Sequence, residues 1–221
     1  MNVSALIMTR NEEGNVADVV AAARRYADEV LVIDGHSTDN TRENATRAGG
    51  RVILDSGRGK GAGIRMGLHY ASHPVVVIAD ADGSHDMADI PRLTEPIIAN
   101  RADLVVASRL LGGSDELHGN LSNYLRMVGA GFITLVVNLR FGTELTDIEN
   151  GFRAIRKSIA PSLRLTANGF EIEQQMVLRA LKLGYRVTEA PSHEFKRQSG
   201  ESKLPTVQGF VFLWRLLWDI I

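Results

Sequence analysis

The 221-residue chain contains no cysteine. That removes disulfide frameworks, zinc–thiolate sites, iron–sulfur clusters and cysteine nucleophiles together. It also lacks a basic surplus: Lys and Arg number 25 against 26 Asp and Glu, for a net charge of -1. A general nucleic-acid binder, whose phosphate contacts need that surplus, is excluded. Long apolar runs are missing too. The longest uncharged mid-chain stretch lies between Arg126 and Arg140, short of the ~20 residues a membrane span requires. The opening Met1–Arg10 has neither the basic start nor the long apolar core of a secretion signal. The expectation is a cytoplasmic protein, able to sit peripherally on the cytoplasmic face of a membrane without crossing it.

What the chain does have is alternation. Short apolar runs at Val3–Met8, Val30–Ile33, Val52–Leu54, Val75–Ala79 and Leu104–Ala107 read as strands. Between them, helical patterns cover Asn15–Ala27, Asp39–Ala48 with Asp39 as cap, a stretch opened by Gly57–Gly63 and ending near Ala71, and Asp89–Asn100. Pro91 sits in the first turn of the last, where it is tolerated. Beyond Arg109 come a polar, glycine-rich loop (Leu110–Asn120), a long apolar helix (Leu121–Leu139), a strand (Phe152–Ile155), a helix (Glu171–Leu183) and a strand (Arg186–Ala190). The pattern predicts one α/β domain with a mostly parallel central sheet flanked by helices. Its first half is nucleotide-binding-like, and its second half completes the site.

Open parallel sheets bind ligands beyond the carboxyl ends of their strands. Those ends read Thr9-Arg10-Asn11-Glu12, Asp34-Gly35-His36-Ser37, Asp55-Ser56-Gly57, Asp80-Ala81-Asp82 and Ser108-Arg109. Any one acid fits a cap or a turn; their recurrence at one edge favours a site. Asp80 and Asp82 end a buried strand with two carboxylates one residue apart, hard oxygen ligands for Mg²⁺ or Mn²⁺ bridging a diphosphate. Gly57–Gly63 would let backbone amides approach a phosphate at a helix N-terminus, with Lys60 adding charge. It also loosely fits a dinucleotide fingerprint, although two βα units precede it. Arg109, Arg126, Arg153, Arg197 and Lys203 form a cationic set, and Arg197, in Phe195–Leu204, suits a mobile phosphate clamp.

The ordered set carries a resemblance. Thr-Arg-Asn-Glu, Val-Ile-Asp-Gly-His-Ser-Thr-Asp-Asn-Thr, Gly-Lys-Gly, Asp-Ala-Asp-Gly-Ser-His, Ala-Ser-Arg, Asp-Ile-Glu-Asn-Gly-Phe-Arg-Ala and Gly-Glu-Ser-Lys-Leu follow one another between Val3 and Leu204. The chain resembles family 2 glycosyltransferases of GT-A fold, nearest the dolichol-phosphate mannose synthase and polyprenyl-phosphate glycosyltransferase branch. The resemblance implies a single catalytic domain over 1–204, divided into a nucleotide-sugar half (1–109) and an acceptor half (110–204). It implies an inverting, metal-dependent transfer of a hexose, mannose or glucose, from a nucleotide diphosphate sugar (GDP-mannose or UDP-glucose) to dolichyl or polyprenyl phosphate. Thr9, Asn11, Glu12 and Asp34 would face the nucleoside, and Lys60, Asp80, Ala81 and Asp82 the rest of the donor. Asp80, Asp82 and Ser84 would hold the Mg²⁺ or Mn²⁺. Arg109, Arg126, Arg197 and Ser202 would take the acceptor phosphate, with Asp82 and the three arginines as catalytic residues. Two departures stand out: Asp34-Gly35-His36-Ser37 replaces the usual Asp-Asp-Gly-Ser, and Asp86-Met87 replaces two prolines.

Three rivals remain at this point. A sugar hydroxyl acceptor would need a carboxylate base, with Asp147, Glu171 and Glu173 as candidates. An NAD-dependent oxidoreductase would use the glycine loop. A non-catalytic nucleotide-sugar-binding subunit would keep the fold alone. The final segment, 205–221, repeats Val207, Phe210, Val211, Trp214, Trp218 and Ile221 at helical spacing. It reads as an amphipathic helix that meets a membrane surface, closes the domain's own core, makes a homodimer contact or continues into a membrane span.

Overall fold

The computed structural model describes residues 2–115, 121–197 and 218–219, without the side chains of 121–127. In chain order the elements are β1 (Val3–Thr9), α1 (Val16–Ala23), β2 (Glu29–Asp34), α2 (Thr41–Arg47), β3 (Arg51–Leu54), α3 (Lys60–Tyr70) and β4 (Val75–Asp80). Then follow α4 (Ile90–Ile98), β5 (Leu104–Ser108), α5 (Arg109–Gly112), α6 (Leu121–Phe141), β6 (Arg153–Arg156), α7 (Ile172–Lys182) and β7 (Val187–Pro191). The strands make one sheet in the order β3-β2-β1-β4-β6-β5-β7.

Every pairing is parallel except those of β6, which runs antiparallel between β4 and β5. Alternate residues of each strand feed two cores. Leu6, Leu31 and Ile78 pack on one face with Ile64 of α3 and Met176 of α7. Ile7, Val32 and Val77 pack on the other with Val20 of α1 and Leu93 of α4. Burial on both faces explains why β1 and β4 read as unbroken apolar runs instead of alternating ones. The direction of β6 matters for function. It enters at the carboxyl edge of β4, so the turn before it, residues 150–152, lies beside Asp80.

Several expected boundaries shift. α1 stops at Ala23, four residues early, and the chain turns through 24–27 on bonds such as Tyr26 N–H to the Ala23 carbonyl at 3.0 Å. The residue flanking α2 is Asn40, and Asp39 acts one position upstream, accepting the Thr41 N–H at 3.1 Å. The stretch expected as loop from Leu110 begins as α5, because the Ser108 hydroxyl caps it by accepting the Leu111 N–H at 3.2 Å. Residues 116–120 lie outside the described set.

Candidate active site

A cavity of ≈ 380 Å³ opens at the carboxyl edge of β1, β2, β3 and β4. Thr9, Arg10 and Glu12 line it from the end of β1, Asp55 from the end of β3, and Asp80, Ala81 and Asp82 from the end of β4. Lys60, Phe170 and Arg197 close it from the other side. Of the expected donor residues, Thr9, Glu12, Lys60, Asp80, Ala81 and Asp82 are therefore gathered on one wall system. The Thr9 hydroxyl is buried there without a hydrogen-bond partner among the described residues.

Each acid of the pair carries its own cation. Lys60 Nζ lies 2.8 Å from Asp80 and 2.8 Å from Glu173 Oε1, and it stands 5.4 Å above the centre of the Phe170 ring. Burial works against the lysine charge, but the Asp80 and Glu173 carboxylates outweigh it and hold Lys60 above its ordinary range. Gly151 has no side chain for a reason visible here: a Cβ would come within 2.9 Å of Asp80 Oδ2 and 3.1 Å of Lys60 Nζ.

Asp82 pairs with Arg197 at 2.9 Å, while its other oxygen accepts the Ser84 hydroxyl at 2.7 Å and the Ser84 N–H at 3.1 Å. Burial pushes this carboxyl up, and the His85 ring, the Ser84 hydroxyl and the Arg197 guanidinium more than offset it, leaving Asp82 below its ordinary value. His85 is itself pushed down by burial. Its Nδ1 accepts the Asp80 N–H at 3.2 Å, and its ring stacks on Phe152 with centroids 4.9 Å apart. The loop that follows the acids is thereby braced against the start of β6.

The donor set suits a hard divalent cation. Among the described residues no three His, Cys, Asp or Glu side chains converge as a ready-made cage. Two carboxylates on a firm loop instead leave positions for ligand oxygens, as Mg²⁺ usually requires. Ser84 is in place as the partner of Asp82, with its hydroxyl proton directed at that carboxylate.

Other expected residues sit differently. Asp34 is fully buried and holds the turn after β2, accepting the Ser37 N–H at 2.9 Å; it does not line the cavity. Asn11 accepts the Thr38 N–H at 2.8 Å and also stays off the wall. Arg109 is clasped by Asp147 through two contacts of 2.6 and 2.9 Å, with Glu194 at 3.5 Å. A phosphate would have to compete with that carboxylate, because the two-pronged match is already made. Arg153 is wholly buried and donates to main-chain carbonyls, including Glu173 O at 2.7 Å, which makes it a strut. The Arg126 side chain, Ser202, Lys203 and all of 205–221 except Trp218 and Asp219 lie outside the described residues.

The glycine loop departs most from expectation. The N–H of Gly61, in the first turn of α3, donates to the Asn168 carbonyl at 2.7 Å, and a Cβ on Gly61 would strike the Ala167 carbonyl. Gly61 lets α3 approach the segment before α7 and has no free N–H for a phosphate, whereas Gly57 and Gly59 line the cavity beside Lys60. The dinucleotide reading loses its support here. A second, polar groove of ≈ 540 Å³ involves Arg24, Asp28, Glu29, Arg51 and His73. Its acids already serve the fold: Glu29 holds Ser72, and Asp28 caps the Val3 N–H.

Asp55, a strand-end acid in the sequence, lines the cavity without having been given a role. Phe170 had no sequence signal, because only the packing of loops brings it in. Glu149 does not line the cavity. Burial drives the Glu149 carboxyl up to about 7, and its Oε1 is buried without a partner.

Residues 4–163 match the profile of glycosyl transferase family 2. The chain belongs to that family. Glycosyltransferase AglJ of Haloferax volcanii is 33% identical over 219 residues, covering 96% of this chain and 70% of its own length. An undecaprenyl-phosphate mannosyltransferase of Micrococcus luteus is 34% identical over 220 residues, covering 92% and 88%. Among solved structures, glucosyl-3-phosphoglycerate synthase of Mycobacterium tuberculosis, with Mn²⁺, UDP and phosphoglyceric acid, superposes with a TM-score of 0.79 at 20% identity, over 99% of this chain and 78% of that one. The likeness establishes the GT-A fold for this family 2 glycosyltransferase.

Proposed function

We propose that the enzyme moves a hexose from a nucleotide diphosphate sugar to a polyprenyl or dolichyl phosphate. One observation carries the reading: Asp80 and Asp82 end the buried strand β4 inside a cavity that also holds Lys60 and Arg197. A divalent Mg²⁺ or Mn²⁺ held by the two acids would supply charge to the departing diphosphate. The M. tuberculosis structure was solved with Mn²⁺ and UDP, and the M. luteus relative is named for a lipid-phosphate acceptor; both support the reading.

The chemistry asks little of a base. A phosphate acceptor is anionic at neutral pH, so its oxygen forms the new bond to the anomeric carbon as the bond to the nucleotide diphosphate breaks with its electron pair. What the protein must supply is position and charge balance. Arg197, paired with Asp82 on the cavity wall, would meet the acceptor phosphate, and Lys60 keeps Asp80 in place. Of the three candidate bases for a hydroxyl acceptor, Asp147 is bound to Arg109 and Glu173 to Lys60, whereas Glu171 accepts only the Gly169 N–H, at 3.2 Å, among the contacts of the described residues, and it is the base such an acceptor would call on.

The test is transfer of labelled hexose to a short-chain polyprenyl phosphate. Asp82→Asn should fold normally and turn over about 10²-fold or more slowly, the scale of losing one electrostatic stabiliser. Undiminished transfer by a metal-stripped Asp82→Asn protein overturns the reading.

A further inference from the structure

The segment before α7 closes the cavity from the side opposite the strand ends. Gly169 and Phe170 line it beside Lys60, and the Phe170 ring centre lies 5.4 Å from the Lys60 ammonium. Toward α3, the Asn168 carbonyl accepts the Gly61 N–H at 2.7 Å, and Asn168 Oδ1 accepts Arg65 Nη2 at 2.6 Å. Residues 164–168 themselves belong to no helix or strand. Arg164 adopts φ 46°, a left-handed conformation that residues with side chains disfavour. Such a segment keeps its shape only where its surroundings over-determine it.

The other hold comes from Gln175 and Arg179, one turn apart on α7. Gln175 Oε1 accepts the Thr166 and Ala167 N–H groups, both at 2.9 Å. Arg179 Nη1 donates to the Leu163 and Arg164 carbonyls at 3.4 and 3.3 Å. Both side chains then meet on one residue far away in sequence. Asp219 Oδ1 accepts Arg179 Nε at 3.2 Å and Nη2 at 2.9 Å, and its Oδ2 accepts Gln175 Nε2 at 3.2 Å. Gln175 is fully buried and Asp219 is 2% exposed, so water does not replace these contacts. Two N–H groups on one side and a carboxylate on the other leave the Gln175 amide one way round.

We propose that Asp219 is a positioning residue for the donor, acting through Gln175 and Arg179 on the wall that carries Phe170. The inference rests on the transferase reading above and adds a residue outside the cavity that sets donor affinity. Asp219 does not line the cavity. Its influence runs from its carboxylate to Gln175, then to the Thr166 and Ala167 N–H groups. From there it passes through the Asn168 carbonyl to Gly61, the neighbour of Lys60. Without the carboxylate, the Gln175 amino group keeps only Thr166 Oγ1, at 3.2 Å, among the described residues. A buried donor that loses an acceptor is costly. Turning the amide over gives no relief, because its amino group would then face two main-chain N–H groups.

Calorimetry with UDP and with GDP, each with Mn²⁺, tests it on wild type, Asp219→Asn, Gln175→Glu and the double variant, well below each melting temperature. Asp219→Asn keeps an oxygen for Arg179 and turns an amino group toward that of Gln175. Gln175→Glu alone sets two carboxylates against each other. Together the two substitutions exchange roles: the new carboxylate accepts from Thr166, Ala167 and the new amide. Each single variant should bind the better diphosphate about tenfold more weakly, the scale of one charge-assisted hydrogen bond lost. The double variant should regain most of that factor. If Asp219→Asn does not fold, Arg179→Lys, which keeps the charge and loses the fork onto Oδ1, takes its place. A merely structural aspartate would lower the melting temperature and leave diphosphate affinity at the wild-type value. That result, or losses that the double variant does not repair, overturns the inference and leaves the transferase reading standing. Failure of both diphosphates to bind wild type would remove the transferase reading, and this inference with it.

Discussion

Arg197 and Lys60 differ in what their charge is for. Lys60 sits between two carboxylates, Asp80 and Glu173. Arg197 pairs with Asp82 at 2.9 Å, and a guanidinium recognises phosphate through a planar fork that an ammonium lacks. Arg197→Lys keeps the charge and loses the fork. We expect a drop in transfer rate of about tenfold or more with little change in melting temperature, as for one lost charge-assisted contact; a wild-type rate would show that the fork is not used.

Glu149 supports a prediction of a different kind. Its carboxyl titrates at about 7 in the fold, because burial disfavours its charge, against an ordinary value of 4.5. The folded state therefore binds a proton that the unfolded chain has released between those values. Glu149's own contribution to stability falls as pH rises from about 4.5 to about 7, by roughly 3 kcal/mol in all, and is constant outside that window. Glu149→Gln removes the term. Its unfolding free energy should match wild type near pH 4.5 and exceed it increasingly up to pH 7, as read by urea denaturation across pH. A constant gap would mean that Glu149 does not titrate in this range.

At the scale of elements, the strands were legible because burial on both faces leaves an apolar run no other structure explains. Val75–Ala79 is the clearest case, and the Asp80–Asp82 pair could be placed at its carboxyl end for that reason. The reversed direction of β6 was not legible. Four residues, Arg153–Arg156, pair equally well either way, and only the sheet decides. Asp34 shows the same limit within the site: an acid at a strand end looks alike in sequence whether it faces a ligand or holds a turn. Gly61 could not be told from its loop neighbours in sequence, because glycine serves any close approach, to a ligand or to another main chain. The contact with Ala167 and Asn168 makes this testable. Gly61→Ala should destabilise the protein by about 1–3 kcal/mol, the usual cost of overpacking, whether or not nucleotide is present. If chemical denaturation shows no loss, α3 does not pack there as described.

For the whole molecule, the proposed lipid-phosphate acceptor raises the question of how a water-exposed cavity would meet a lipid tail. No helix among the described residues is long and apolar enough to cross a membrane. Yet α6 exposes Val128, Phe132, Leu135 and Leu139, the last at 78%, and their spacing of four, three and four puts them on one stripe. Trp218 is exposed at 72%, whereas its neighbour Asp219 is 2% exposed and pairs with Arg179 of α7 at 2.9 Å. That pair ties Asp219 to α7, and Trp218 beside it is exposed. Apolar side chains on a helix surface suit the headgroup boundary of a bilayer. A lipid phosphate presented there would need no extraction into water. We expect the enzyme to float with liposomes containing polyprenyl phosphate, and a Phe132→Ser/Leu139→Ser double variant to float several-fold less while retaining its melting temperature. Because both residues lie on the surface, the substitutions leave the two cores intact. Equal flotation of the two proteins would place the membrane contact elsewhere; a wild type that stays in solution as a dimer would make the stripe a contact between two copies.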